Sequence, residues 1–164
     1  MTRARRVVAA ALATAATLAA CGSAPELDDS DPDVAAAIEV TRKSYEATFE
    51  ADNPYAPPPR QYVTDAFYER ALQGIGALPD QGYTTSGRDK IVWIKAVDRK
   101  DDAIATRICY EIHAQLLDAK GEDQRVKPDG STPRPGDRLM VLNWLVDDRG
   151  TWKLDNVQMQ GESC

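Results

Sequence analysis

The sequence predicts an α+β domain in which N-terminal helices pack on one face of a curved antiparallel sheet. Three observations carry this. Apolar residues in the first half of the body recur at three- and four-residue steps, whereas from Lys90 onward they alternate and are rich in branched and aromatic side chains. The longest alternating run, Ala103 to Leu117, divides into an apolar and a mostly polar face. The length of 164 residues, 43% of them hydrophobic, suits one globular domain and is too apolar for a disordered chain. With 26 acidic against 20 basic residues and no long basic run, the chain carries a charge of −6, so nucleic acid is not an expected partner.

Residues 1–20 have the pattern of a secretory signal. Three arginines within Met1 to Arg6 precede Val7 to Leu18, twelve residues without a charge. That run is shorter than the roughly 20 residues of a membrane-spanning helix. Leu18-Ala19-Ala20-Cys21 resembles the lipobox of bacterial lipoproteins. The resemblance implies cleavage before Cys21 and lipidation of its sulfur, hence a membrane anchor on the extracytoplasmic face. The alternative is an ordinary signal peptide that contains a cysteine. Cleavage removes three arginines and no acid, leaving 17 cations against 26 anions, or −9. Residues 21–32 then form the lipidated cysteine and a small, acidic tether, expected to be flexible and to hold the body off an anionic surface.

The body, residues 33–164, begins with a helix. Asp31-Pro32-Asp33 supplies an N-cap, a proline at the first helical position and an acid beside the positive dipole end. Val34, Ala37, Ile38, Thr41, Tyr45, Thr48 and Phe49 form one face, and the helix ends near Ala51. Asn53 to Pro59, with four prolines in seven residues, is an extended connector. A second helix starts between Gln61 and Asp65 and carries Phe67, Tyr68, Ala71, Leu72, Ile75 and Leu78 to a stop at Pro79.

Strands are expected at Lys90–Val97, Ala103–Leu117, Arg138–Val146 and Thr151–Met159, with a further short one within Gly82–Gly87. Asp98–Asp102 and Asp147–Gly150 are hairpin connections, and Asp118–Gly136 is a long polar loop. In the longest strand Ile104, Thr106, Ile108, Tyr110, Ile112, Ala114 and Leu116 should meet the helices, leaving the opposite face polar or lightly covered. Arg138–Val146 is apolar on both faces, so its outer face should be shielded by the C-terminal tail or a second copy of the chain. With Cys21 lipidated, Cys109 and Cys164 remain an even pair in an oxidising compartment, which favours a disulfide over two free thiols.

Residues 33 to 164 resemble small actinobacterial lipoproteins with an NTF2-like (cystatin-like α+β) domain. The resemblance rests on the first helix ending near Asn53-Pro54, then Gly82-Tyr83-Thr84-Thr85-Ser86-Gly87, Ala105-Thr106-Arg107-Ile108-Cys109, Gly150-Thr151-Trp152-Lys153-Leu154 and the C-terminal cysteine. Glu111, two places after the first body cysteine, fits an acidic position common in that family. It implies a cone-shaped half-barrel but no particular reaction, because folds of this kind host enzymes and binding modules alike.

Little in the sequence points to catalysis. His113 is the single histidine, and at strand rise Cys109 lies about 13 Å from it, so neither a metal cluster nor a Cys–His nucleophile is expected. Glu111 and His113 share a strand face and form a candidate acid–base pair. Tyr110, Trp144, His113 and Asp155 are candidate pocket residues, while Trp93, Trp144 and Trp152 fit core positions. The expected function is that of a lipid-anchored extracytoplasmic binding or interaction domain without cofactor, taking a protein or small ligand, with a homodimer as one arrangement. The alternatives are a small lyase or isomerase using the cone, and an accessory subunit of a cell-envelope export or transport complex.

Overall fold

A computed structural model describes residues 26–51, 56–75, 82–160 and 164. The expected signal sequence, Cys21, part of the proline-rich connector, and Leu78 and Pro79 lie outside the described residues. Helix α1 runs Pro32–Glu50, and the Asp31 carboxylate accepts from Asp33 N and Val34 N at its start. A 3-10 turn at Arg60–Tyr62 leads to helix α2, Asp65–Ile75. Thr64 caps α2 by accepting from Phe67 N at 3.1 Å.

Strands β1 (Thr84–Ser86), β2 (Lys90–Lys100), β3 (Ala103–Glu111), β4 (Gln115–Leu117), β5 (Arg138–Asp147) and β6 (Trp152–Gln160) follow. They form a four-stranded antiparallel sheet in the order β2-β3-β5-β6 and a separate two-stranded sheet of β1 and β4. The domain is α+β, with the helices on one face and the sheets not closed. Register shifts fall between Ile91 and Trp93, between Ala96 and Asp98, and at Asp155 opposite Trp144 and Leu145. Bulges of this kind increase twist and bend the sheet, here around α1.

The inner face is apolar with a polar seam. Ile104, Leu145 and Leu154 pack with Val34 and Ala37 of α1, while Ile108 and Val141 pack with Tyr45 and Phe49. Between these clusters, Thr41 Oγ1 donates to Ala37 O at 2.9 Å and lies 2.9 Å from Thr106 Oγ1. Asn143 Nδ2 reaches Thr106, and Asn143 Oδ1 accepts from the Tyr45 hydroxyl at 2.8 Å. Burial, reinforced by the neighbouring Tyr110 and opposed by the Asn143 hydrogen bond, pushes the Tyr45 pKa far up, so its hydroxyl remains a donor. The seam fixes the rotation of α1, because a slip would strand buried polar groups.

Several sequence expectations need correction. The run Ala103–Leu117 is not one strand: the ladder stops at Glu111, and β4 leaves to pair with β1. The outer face of β3 is not uniformly polar or lightly covered, since Ala105 and Cys109 are fully buried. Trp152 belongs to the core, but Trp93 and Trp144 are half-buried on the outer face, opposite Cys109 and Ala105 respectively. The tether is tied down from Glu26 onward. Leu27 N donates to Ala96 O at 2.9 Å and Glu26 pairs with Lys95, while Arg99 grips Asp31 and Asp33 at 3.0 and 2.6 Å.

Cys109 and Cys164 are joined by a disulfide with Cα atoms 5.9 Å apart. It holds the chain end against β3 and β5, on the outer side where Met140 is also buried. Closing a loop across 55 residues is worth about 4 kcal/mol in the chain-entropy picture. Reduction or Cys164→Ser should therefore lower unfolding free energy by roughly that amount in a urea titration. Intact mass should show two hydrogens fewer than the reduced chain, and two alkylatable thiols would contradict the bond.

Candidate functional site

The departure of β4 from the main sheet is built by a few local contacts. Asp89 Oδ1 accepts from both His113 N and Ala114 N at 2.8 Å. A continuous strand would have given such donors to a neighbour. Ile112 instead exchanges hydrogen bonds with the loop end, its N–H donating to Asp137 O at 2.8 Å and its carbonyl accepting from Gly136 N at 2.7 Å. Gly87, at φ +76°, lies so close to the His113 carbonyl that a Cβ would collide with it.

The divergence opens a cavity of about 380 Å³ between the two sheets. Tyr110, Ile112, Ala114 and Leu116 line one wall, and Phe49 at the end of α1 and Leu139 of β5 close the floor. Pro133, Val126 and Met159 complete the rim, the last two exposed at 63% and 55%. Exposed apolar groups bordering an apolar hollow are unusual enough to mark a candidate site. A broader groove beside it, between α1 and the edge of β2, is lined by Arg42, Glu46, Glu50 and Arg88 and is open to solvent. The smaller cavity is the better small-molecule site because it is less open and more apolar than the groove.

Charged groups at the rim are engaged within the protein. Arg125 grips Asp123 through Nε and Nη2 at 3.1 and 2.9 Å, and Lys127 Nζ lies 3.0 Å from Asp137. Burial works against the charge on Asp123, yet hydrogen bonds from Arg125 and from Leu116 N–H outweigh it and hold its pKa below the usual value. Asp137 is lowered by the Arg134 N–H and then by Lys127. These contacts fasten the loop 118–137 over the cavity, a role that its polar composition conceals.

The four candidate pocket residues do not come together. Tyr110 lines the cavity. Trp144 lies on the opposite face of the sheet, under the Lys100 ammonium at 5.3 Å. Asp155 sits at the β6 bulge and accepts from the Thr64 hydroxyl at 2.7 Å, beside α2. His113 is exposed, with Nε2 2.7 Å from Glu111 Oε1, and is not among the residues lining the cavity. That hydrogen bond lowers the Glu111 pKa, assisted by Arg138 and Lys90 and opposed by slight desolvation. Among the described residues no cluster of three or more His, Cys, Asp or Glu is placed to hold a metal ion. Sequence reasoning missed Ile112, Ala114 and Leu116 as cavity wall because their alternation continues unbroken across the divergence.

Two outcomes test this construction. Asp89→Ala, which strands two backbone donors, should cost about 2 kcal/mol and speed amide exchange at His113 and Ala114. The rim carboxylates have lowered folded-state pKa values, so their contribution is complete above the ordinary value of 3.8 and is lost as pH falls through the folded values. Hydrogen exchange across 118–137 should be constant from about pH 5 to 8 after correction for intrinsic rates, and protection should fall below about pH 4.

No protein-family model matches the sequence, and no curated protein does. Among solved structures, the chain is similar to the intermembrane space region of the chloroplast protein ARC6, with a TM-score of 0.52 and 9% identity. The alignment covers 84% of this chain and 100% of that one. At such low identity the likeness is one of fold: a domain of comparable extent with the same general arrangement of helices on a sheet.

Proposed function

We propose that this chain is a lipid-anchored extracytoplasmic domain of the NTF2-like kind that binds a small apolar molecule without transforming it. The observation that carries the reading is the cavity itself. Its wall is apolar, its volume of about 380 Å³ lies within the range of small-molecule sites, and its rim charges are neutralised by partners inside the protein. Such a site rewards burial of hydrocarbon and offers little to a charged ligand. Asp89 is the one carboxylate among the described wall residues, and the lyase or isomerase alternative rests on it. Its Oδ1 is already committed to two backbone amides, which favours the binding reading.

The anchor is proposed from the lipobox-like Leu18-Ala19-Ala20-Cys21. No helix among the described residues is long and apolar enough to cross a membrane, so in this reading attachment depends on the lipid.

The neutral fluorophore N-phenyl-1-naphthylamine should bind the full chain with a blue shift and enhanced emission. Ala114→Trp, which fills the wall, should reduce that affinity tenfold or more, on the order of 1.4 kcal/mol. Val126→Asp, at an exposed rim position, should weaken binding while leaving the thermal midpoint nearly unchanged. Equal affinity in both variants would place the probe elsewhere. Separately, Cys21→Ser should move the protein from the membrane fraction to the soluble one; continued retention would contradict the anchor.

A further inference from the structure

Building on the anchor at Cys21, we propose that the face of the four-stranded sheet opposite α1 rests on the anionic headgroup surface of the membrane. The first argument is reach. The described residues begin at Glu26, whose carboxylate lies 2.9 Å from Lys95 Nζ at the middle of β2, an edge strand of the sheet. Five residue steps separate Cys21 from Glu26, and fully extended they span at most about 18 Å. A lipid on Cys21 therefore keeps the Lys95 side of β2 near the bilayer, and the body cannot stand a domain's width away.

The second argument is charge. By strand register the outer face carries Lys90, Lys95, Lys100, Arg107, Arg138 and Lys153. Asp98 and Glu111 are the acids in the same register, with Glu26 and Asp148 at the margins. Four of these cations pair with those acids, Lys95 with Glu26, Lys100 with Asp98, Arg138 with Glu111 and Lys153 with Asp148, so the face keeps an excess of two cations, although acids exceed cations over the whole chain, 26 to 20. On the opposite layer α1 exposes Glu39, Glu46 and Glu50 beside Arg42 and Lys43, which both pair with Glu39, so it has one more acid than cation among these. An anionic surface thus favours the outer face of the sheet over the α1 face, which biases the orientation of the domain.

The side chains between those charges also suit a headgroup layer. Trp93 and Trp144 are half-buried, with the ammonium groups of Lys95 and Lys100 at 5.7 and 5.3 Å from their ring centroids. Indole rings beside lysine and arginine are characteristic of the membrane–water interface, where the rings meet acyl carbon and the cations meet phosphate. In this orientation the ligand cavity opens on the helix side, away from the bilayer.

The test uses the full lipidated protein in vesicles of phosphatidylcholine, with or without about 30% phosphatidylglycerol. Tryptophan emission is measured with lipids brominated near the headgroup. Trp152 is only 9% exposed and sits in the core, so quenching reports Trp93 and Trp144, and Trp93→Phe and Trp144→Phe assign it. The expected result is stronger quenching with phosphatidylglycerol, falling by about half or more in high salt and in Lys95→Glu/Lys100→Glu. Protein that pellets with both vesicle types but shows equal quenching, insensitive to charge reversal, would overturn the docking while leaving the anchor intact. Protein absent from both pellets would overturn the anchor and this orientation with it.

Discussion

The carboxylate of Asp89 takes the N–H groups of His113 and Ala114, two donors that a longer β3 would have offered to a neighbouring strand. Much of the domain depends on that substitution. It frees β4 to pair with β1, turns Ile112 toward the Gly136–Asp137 loop end, and separates the small sheet from the large one. Because Asp89 precedes β2 and Gly87 must pass closely under the His113 carbonyl, the entry into β2 and the exit from β3 are fastened together. The cavity is the space left between sheets that diverge from this point.

The other layer is held by a different device. The Thr41, Thr106, Asn143 and Tyr45 seam gives α1 a defined rotation on an otherwise apolar face. With α1 so placed, Phe49 reaches the cavity floor, and Tyr45, Phe49 and Tyr110 form a contiguous aromatic group. The bulges in β2 and β6 then curve the sheet toward the helix. Polar interactions therefore set the geometry, while apolar burial supplies most of the driving force.

How much was legible in the sequence follows the range of each interaction. The Asp31 cap with Pro32, the 3.6-residue period of α1 and the alternation in β3 are local signals, and the structure contains all three. The end of β3 was hidden because Ile112, Ala114 and Leu116 continue the apolar alternation and are buried on both sides of the divergence. Its cause, Asp89, lies 24 residues away from His113. Trp144 reads as core because its strand is apolar on both faces, but among the described residues the helices pack on the other face. The strand-face pairing of Glu111 with His113 is legible and the structure brings the two together, but neither lines the cavity, and Asp155 is held by Thr64 beside α2. Val126 and Pro133 were obscured by the polar loop that carries them, and only the folded loop brings them to the rim.

The proposed function rests on one claim, that the space between the diverging sheets holds an apolar molecule. The most direct measurement is a native mass spectrum of the protein purified from its own membrane, recorded before and after extraction with organic solvent. The account predicts a discrete noncovalent adduct that extraction removes and whose polarity matches the wall formed by Ile112, Ala114 and Leu116. An identical mass before and after extraction, equal to that of the lipidated chain alone, would contradict it.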